Sequence, residues 1–384
     1  MIKGTYVFYQ DNKEICRSSN VITKFGKRFL TNFIAGNIGN ANKDLAFGID
    51  RKECLVTAAS ASAGTITYTA NNYFSSGNIV SIYGLSTSAF NLTNVTVASA
   101  TTTQFTVTNA ATGTAVSAST SGRAFKKATE ADTRLGFEFY RLPIQLASTD
   151  IQTSAGTTTY SVVYKTTIPQ DISATISEIA LYPSSRSSVN NFDSKYLSDF
   201  NNAFDWLDPN GNHPAIVAGY QKIGDNVIIL ESNGTSSREY TQNINPIDFS
   251  GYSVNDSITF AYHKPEADVQ SIKIRFYSEP AKYYEVTITP QTGLGYKIVP
   301  DILMSTVFAG AVNSPDKTNI NKIGIVVTPT SANTTSIGAD GLRINDEDTF
   351  DPTFGIISRS TLATPLEKIK GRPIDVEYIL DLDF

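Results

Sequence analysis

Apolar and polar residues alternate with a period of two along much of this chain, the spacing that sends successive side chains to opposite faces of a β-strand. The alternation is cleanest at residues 258–262, 271–277 and 284–288, followed by strand-like runs at 322–327 and 338–344. It returns at 373–384, where Val376, Tyr378, Leu380 and Leu382 define one buried face. Shorter runs at 65–69, 79–83, 95–97 and 104–108, separated by Gly- and Asn-rich turns, predict half-buried antiparallel strands. One segment, 23–35, carries a helical period instead. Phe25, Phe29, Leu30, Phe33 and Ile34 share a face, Lys24, Lys27 and Arg28 take the other, Thr23 can cap the start, and Gly36 suits the stop.

Charge then divides the chain. Residues 55–122 contain no Asp, Glu, Lys or Arg, although 17% of all residues are charged. At that rate about twelve charges are expected over such a length, so the gap marks a separate Thr/Ser-rich module. An uncharged surface has no device against strand-to-strand association, so its edges are expected to be capped or paired with neighbouring copies. Otherwise the module reads as a solvated spacer, or as a protrusion that meets glycans. The acidic excess is also local: residues 346–384 hold nine acidic and four basic side chains, against a net charge of −5 for the whole chain. A solvated face explains it most simply, and a docking face for a basic neighbour is the sharper reading.

The 19 Tyr, 21 Phe and abundant Thr are strand composition, and 384 residues suffice for two or three cores. Two cysteines, Cys16 and Cys54, are too few for a disulfide framework and lack metal-ligand spacing. No apolar run approaches the ~20 residues of a membrane span. The start lacks the apolar stretch of a signal peptide, so the chain is expected to stay in a cytosol or assemble into a particle there. Without a basic cluster, nucleic acid is not an expected partner.

Either side of the charge-free module lie pieces that resemble one domain, recurrent in bacteriophage tail, baseplate and tail-fibre proteins. Its helix start, T-x-x-G-x-x-x-L, is matched by Thr23, Gly26 and Leu30, and its G-[IVT]-G strand by Gly48-Ile49-Asp50, which departs at the second glycine. Its T-x-L-G-x-E-x-x-R run is matched by Thr133, Leu135, Gly136, Glu138 and Arg141, and its closing E-[IL]-[AG]-L-[FY] by Glu178–Tyr182. The resemblance covers residues 1–52 and 124–186. A second resemblance, over about 200–345, is to the galactose-binding-like jelly roll of many carbohydrate-binding modules, with Asp340-Gly-Leu-Arg-Ile344 as its closing strand.

Together these predict an all-β, multidomain chain. A small helix-bearing host domain would comprise 1–53, 124–198 and 346–384, with a charge-free β insertion at 54–123 and a jelly-roll sandwich at 199–345. The phage resemblance implies a virion structural protein, assembled in the host cytoplasm with other virion proteins and copies of itself, without membrane insertion. The jelly-roll resemblance implies the alternative, a glycan-binding adhesin that contacts the host surface.

Candidate chemistry is sparse. His213 and His263 lie in no catalytic motif, and no nucleophile elbow or phosphate loop is present. A glycosidase needs two facing carboxylates; Asp205, Glu239, Glu285 and Asp340 are available, but sequence alone brings no two together. No enzyme activity, cofactor or metal is therefore expected. Within the sandwich, Tyr283, Tyr284 and Tyr296 are candidates to stack on sugars, against the usual fate of strand tyrosines in the core. Asp205 and Asp340 are candidates for Ca²⁺, against two solvated acids. The Asp346–Asp348 run lacks calcium-loop spacing.

Overall fold

A computed structural model describes residues 2–35, 42–109, 113–115, 122–154, 157–184, 196–234, 236–265, 267–330, 334–345 and 355–383. Gly36 and the Asp346–Asp348 run lie outside the described residues. The fold is all-β and multidomain, and it divides into two compact units, residues 1–185 with 352–384 and residues 186–351. Among the described residues, no helix is long and apolar enough to cross a membrane.

In the first unit, a nine-stranded sheet runs in the order Lys13–Ser19, Ile2–Gln10, Ile374–Asp383, Thr157–Ile168, Phe137–Ser154, Asn42–Ile49, Ala174–Ser184, Ser358–Lys368 and Val21–Ile22. The last long strand of the chain thus pairs with the first, Tyr378 opposite Tyr6, and both rings are buried. Residues 54–126 supply all eight strands of a separate sheet, with its own core around Ile66, Tyr68, Phe90, Phe105 and Val107. The alternating runs at Thr65–Thr69, Ile79–Tyr83 and Gln104–Thr108 are strands, and Ile66, Tyr68, Phe105 and Val107 point into that core.

Residues that matched the phage-domain pattern converge on one buried knot. The helix spans Lys24–Ile34. Thr23 Oγ1 accepts from the Gly26 amide at 2.9 Å and donates to the Ile356 carbonyl, capping the helix and tying it to the segment that leads into the strand Ser358–Lys368. Gly48 and Gly136 lie where a Cβ would meet Glu178 Oε1 at 2.8 Å and Arg51 Cβ at 2.8 Å, respectively. Glu178, fully buried, accepts from the Gly136 amide at 2.5 Å and from Arg359, which also bonds Asp132 at 2.6 Å. Beside it, Glu138 and Arg141 form a two-armed bond at 2.8 and 2.7 Å, with the guanidinium 3.8 Å from the Tyr182 ring centroid. The motif spacing is thus a packing code.

The second unit is a two-sheet sandwich. One sheet is built mainly from Ala215–Val217, Val227–Ser232, Thr335–Asn345, Ser257–Lys264 and Gly295–Ile298. The other runs Trp206–Leu207, Arg238–Ile247, Ile320–Pro329, Val269–Glu279, Lys282–Ile288 and Ala311–Val312. Ile228, Phe260, Tyr262, Leu342 and Ile344 of the first face Ile272, Ile274, Phe276, Ile323 and Ile325 of the second in one core. A second, six-residue helix, Met304–Ala309, was not expected from the sequence; its buried Met304 and Val307 join that core.

Candidate functional site

Strand alternation in the six-stranded sheet sends Ile272, Ile274 and Phe276 into the core, leaving Lys273, Arg275 and Tyr277 on the outer face. Register builds a grid around them. Arg275 sits between Gly324 on one side and Glu285 on the other, with Thr241 beyond Gly324. Tyr277 sits between Lys322 and Tyr283, with Asn243 beyond Lys322.

Arg275 joins the grid. Its Nε donates to Glu285 at 2.8 Å and its Nη1 to Glu239 at 3.0 Å, while Lys273 donates to Glu285 at 2.7 Å. The Tyr277 hydroxyl donates to Glu239 at 2.6 Å. The guanidinium also lies 4.8 Å from the centroid of the half-buried Tyr283 ring, which tilts against Tyr277 at 4.9 Å. Burial pushes the Glu285 carboxyl up, but the bonds from Lys273 and Arg275 outweigh it and hold the group below the usual glutamate range. Burial likewise opposes the Arg275 charge, yet Glu285, Tyr277 and Glu239 raise its pKa above the ordinary arginine value. In the middle, Gly324 makes room for the Tyr277–Glu239 bond: a Cβ there would run into Glu239 Oε1 and approach the Tyr277 ring to 3.0 Å. The face therefore offers a half-buried aromatic beside a fixed guanidinium and two carboxylates, the mixed apolar and hydrogen-bonding surface suited to polyols.

The sequence candidates divide. Tyr283 belongs to this face. Tyr284, its neighbour, is 3% exposed, packs in the sandwich core and donates to the Pro315 carbonyl, so its candidacy as a sugar platform is overturned by strand alternation. Glu239 and Glu285, unconnected in the sequence, are brought to one guanidinium. Arg275 and Gly324 were missed, although the alternation of 271–277 and 322–327 could have placed both on outer faces.

Tyr296 and Asp340 meet on the other sheet. Asp340 is the extra residue of a bulge, since Ala261 pairs with Gly341 and Tyr262 with Ala339. Its Oδ2 accepts from the Tyr296 hydroxyl at 2.5 Å and from the amides of Lys222 at 2.9 Å and Ile223 at 3.1 Å. Burial pushes this carboxyl up to about 7 despite those three bonds. Asp205 bonds the exposed Asn202 amide instead, at 3.0 Å, and shares no bonding partner with Asp340. Among the described residues, no group of three or more His, Cys, Asp or Glu side chains could hold a metal ion. His213 is an exposed loop residue whose Nδ1 lies 2.9 Å from the Trp206 carbonyl.

A groove of about 690 Å³ lies in the first unit, lined by Tyr9, Lys165, Thr167, Asp375 and Glu377 among others. Lys165 pairs there with Glu377 at 2.7 Å and Thr167 donates to Asp375 at 2.6 Å, and no guanidinium is among the lining residues.

No protein-family model matches the chain. No curated protein matches it either. Solved structures with partial similarity include a family 11 carbohydrate-binding module from Clostridium thermocellum in complex with a β-1,3-1,4-mixed-linked tetrasaccharide. It is 17% identical with a TM-score of 0.30, over 39% of this chain and 94% of that one. TmCBM61 in complex with β-1,4-galactotriose is 18% identical with a TM-score of 0.20, over 32% and 72%. An exo-β-agarase is 14% identical with a TM-score of 0.30, over 40% of this chain and 25% of its own.

Proposed function

We propose that this chain is a glycan-binding adhesin that acts by retention and not by turnover, with its ligand face on the six-stranded sheet of the sandwich. The observation that carries this reading is the Arg275 grid: Tyr283 offers ring surface, while Glu239, Glu285 and Arg275 are fixed beside it by their mutual bonds. Sugars are held by such combinations of C–H contact and oriented hydrogen bonds. Lys273 and Arg275 hold the Glu285 carboxyl below the usual glutamate range, which does not suit it to act as the general acid of a glycosidase. The test is retention of the purified full chain on an array of surface polysaccharides, wild type against Arg275→Ala. A loss of at least tenfold in the variant is expected; equal retention overturns the site, and released reducing ends overturn the non-catalytic reading.

The first unit supports a second proposal, that the adhesin is a structural component of a bacteriophage virion, in the tail, baseplate or fibre-attachment region. Its partners there would be other virion proteins and symmetry copies. The supporting observation is that Gly48, Gly136 and Glu178, which carry the resemblance, meet in one buried knot with Arg359, while Thr23 ties the helix start to Ile356, nearby in the sequence. Gold-labelled antibody on intact particles tests it. Label at the tail is expected, and particles lacking both label and peptide overturn it.

A further inference from the structure

On the other sheet of the sandwich, a short loop is pinned by two backbone amides to Asp340. Gly219 (φ +97°) and Gly224 (φ +70°) bracket it, both in the left-handed region that favours glycine. Between them, the Lys222 and Ile223 amides donate to the buried Asp340 carboxylate, so the loop is latched to the sheet bulge. Burying a carboxylate is costly, and Asp340 Oδ1 has no hydrogen-bond partner. That cost is spent on fixing backbone next to Tyr220.

Tyr220 is what the latch positions. Its ring lies flat on His263, centroids 4.1 Å apart and planes 2° from parallel. His263 alternates with the core residue Tyr262, so it points out of the sheet. With its ring stacked on the imidazole, Tyr220 is still 41% exposed. Burial and the Lys297 charge bring the His263 pKa down to about 4, so the stack is neutral at ordinary pH. The rim is polar: Lys222 Nζ lies 5.1 Å from the Tyr296 ring centroid, and Tyr296 pairs in register with His263.

We propose that Tyr220, held on His263 by the Asp340-latched loop, is a second saccharide platform, stacking the C–H face of a pyranose and independent of the Arg275 face. A flat, preorganised aromatic loses little conformational freedom when a ring settles on it, and that is the property a stacking site needs. Asp340 acts as a positioning residue.

Saturation-transfer NMR on the full chain tests it, with cellohexaose, xylohexaose, β-1,4-galactotriose and an oligogalacturonate as probes, the last separating uronic from neutral pyranoses. For at least one probe, signal is expected to survive Arg275→Ala, to fall at least tenfold in Tyr220→Ala, and to persist in Tyr220→Phe, which keeps the ring. Signal unchanged in Tyr220→Ala overturns the proposal while leaving the Arg275 face standing. Loss in Arg275→Ala alone does the same. Loss in Tyr220→Phe at an unchanged melting temperature overturns stacking as the mode of contact. Silence of the wild-type chain toward all four probes overturns the platform, whereas the polysaccharide array reports on the Arg275 face separately.

Discussion

The Tyr277 hydroxyl reaches Glu239 at 2.6 Å although a whole strand, Ile320–Pro329, runs between theirs. The bond crosses that strand above Gly324, where a Cβ would strike Glu239 Oε1. Glycine is needed here for room, since its φ is not among the positive ones. Gly324→Val should therefore break the Tyr277–Glu239 bond and displace the Glu239 carboxylate. The expected cost is about 1–3 kcal/mol of overpacking, read by urea unfolding, with at least a tenfold fall in polysaccharide retention. A variant that unfolds and binds like wild type would remove Gly324 from the site.

Neighbouring tyrosines should separate binding from stability. Tyr284 is buried in the sandwich core, so Tyr284→Ala should cost roughly 3–5 kcal/mol, the range for losing a large buried aromatic. Tyr283 lies on the outer face, and Tyr283→Ala should weaken retention while moving the unfolding midpoint far less. Parallel urea curves and array measurements on the two variants decide the matter. Equal stability losses would place Tyr283 in the packing and out of the ligand face.

This pair also marks how far the sequence could be read. Period-two alternation located the strands around 271–277, 284–288 and 322–327, and the same rule told that Tyr283 and Tyr284 must point opposite ways. It also pointed to the core face, because Tyr284 shares its parity with Val286 and Ile288 and Tyr283 shares its own with Glu285, so the candidacy of both tyrosines as sugar platforms ran against the pattern. The knot of the first unit was legible as a motif but not as chemistry. Arg359 lies 181 residues from Glu178, and only the fold closes that gap. Asp340 was visible as a lone carboxylate, yet its partners depend on a bulge that shifts register by one residue, and nothing in the local pattern signals it.

Asp340 and His263 should tilt stability in opposite directions with pH. Asp340 is raised to about 7, so the native state holds its proton while the unfolded chain, near 3.8, has released it. Its contribution is fully present below about pH 4 and is lost as pH rises through 7. His263 is lowered from 6.5 to about 4, so here the unfolded chain binds the proton more readily, and stability is lost as pH falls from 6.5 toward 4. At about 1.4 kcal/mol per pKa unit the effect is roughly 4 kcal/mol for Asp340 and roughly 3 kcal/mol for His263, and in the wild type they oppose each other. Asp340→Asn should leave stability rising from pH 4 to 6.5, and His263→Gln should leave it falling between pH 4 and 7. Urea unfolding at pH 4.5 and 7 checks both slopes, and variants with wild-type pH profiles would show that neither group titrates on unfolding.

In the first unit, helix propensity and packing make opposite forecasts for Gly26. It lies in the helix Lys24–Ile34, where alanine is favoured over glycine by about 1 kcal/mol. Yet a Cβ at this position would run into the backbone carbonyl of Ile357, which cannot swing aside like a side-chain tip. That carbonyl also accepts from the Thr23 amide at 3.1 Å, so moving it loosens the helix start. Packing should win: Gly26→Ala is expected to destabilise by roughly 1–3 kcal/mol. Gly251 supplies the contrast, because a Cβ there meets nothing within 4 Å, and Gly251→Ala should change stability by a few tenths at most. Thermal unfolding of the two variants side by side is the measurement. A neutral or stabilising Gly26→Ala would mean that the helix does not seat against Ile357 and that the glycine of its T-x-x-G start is dispensable.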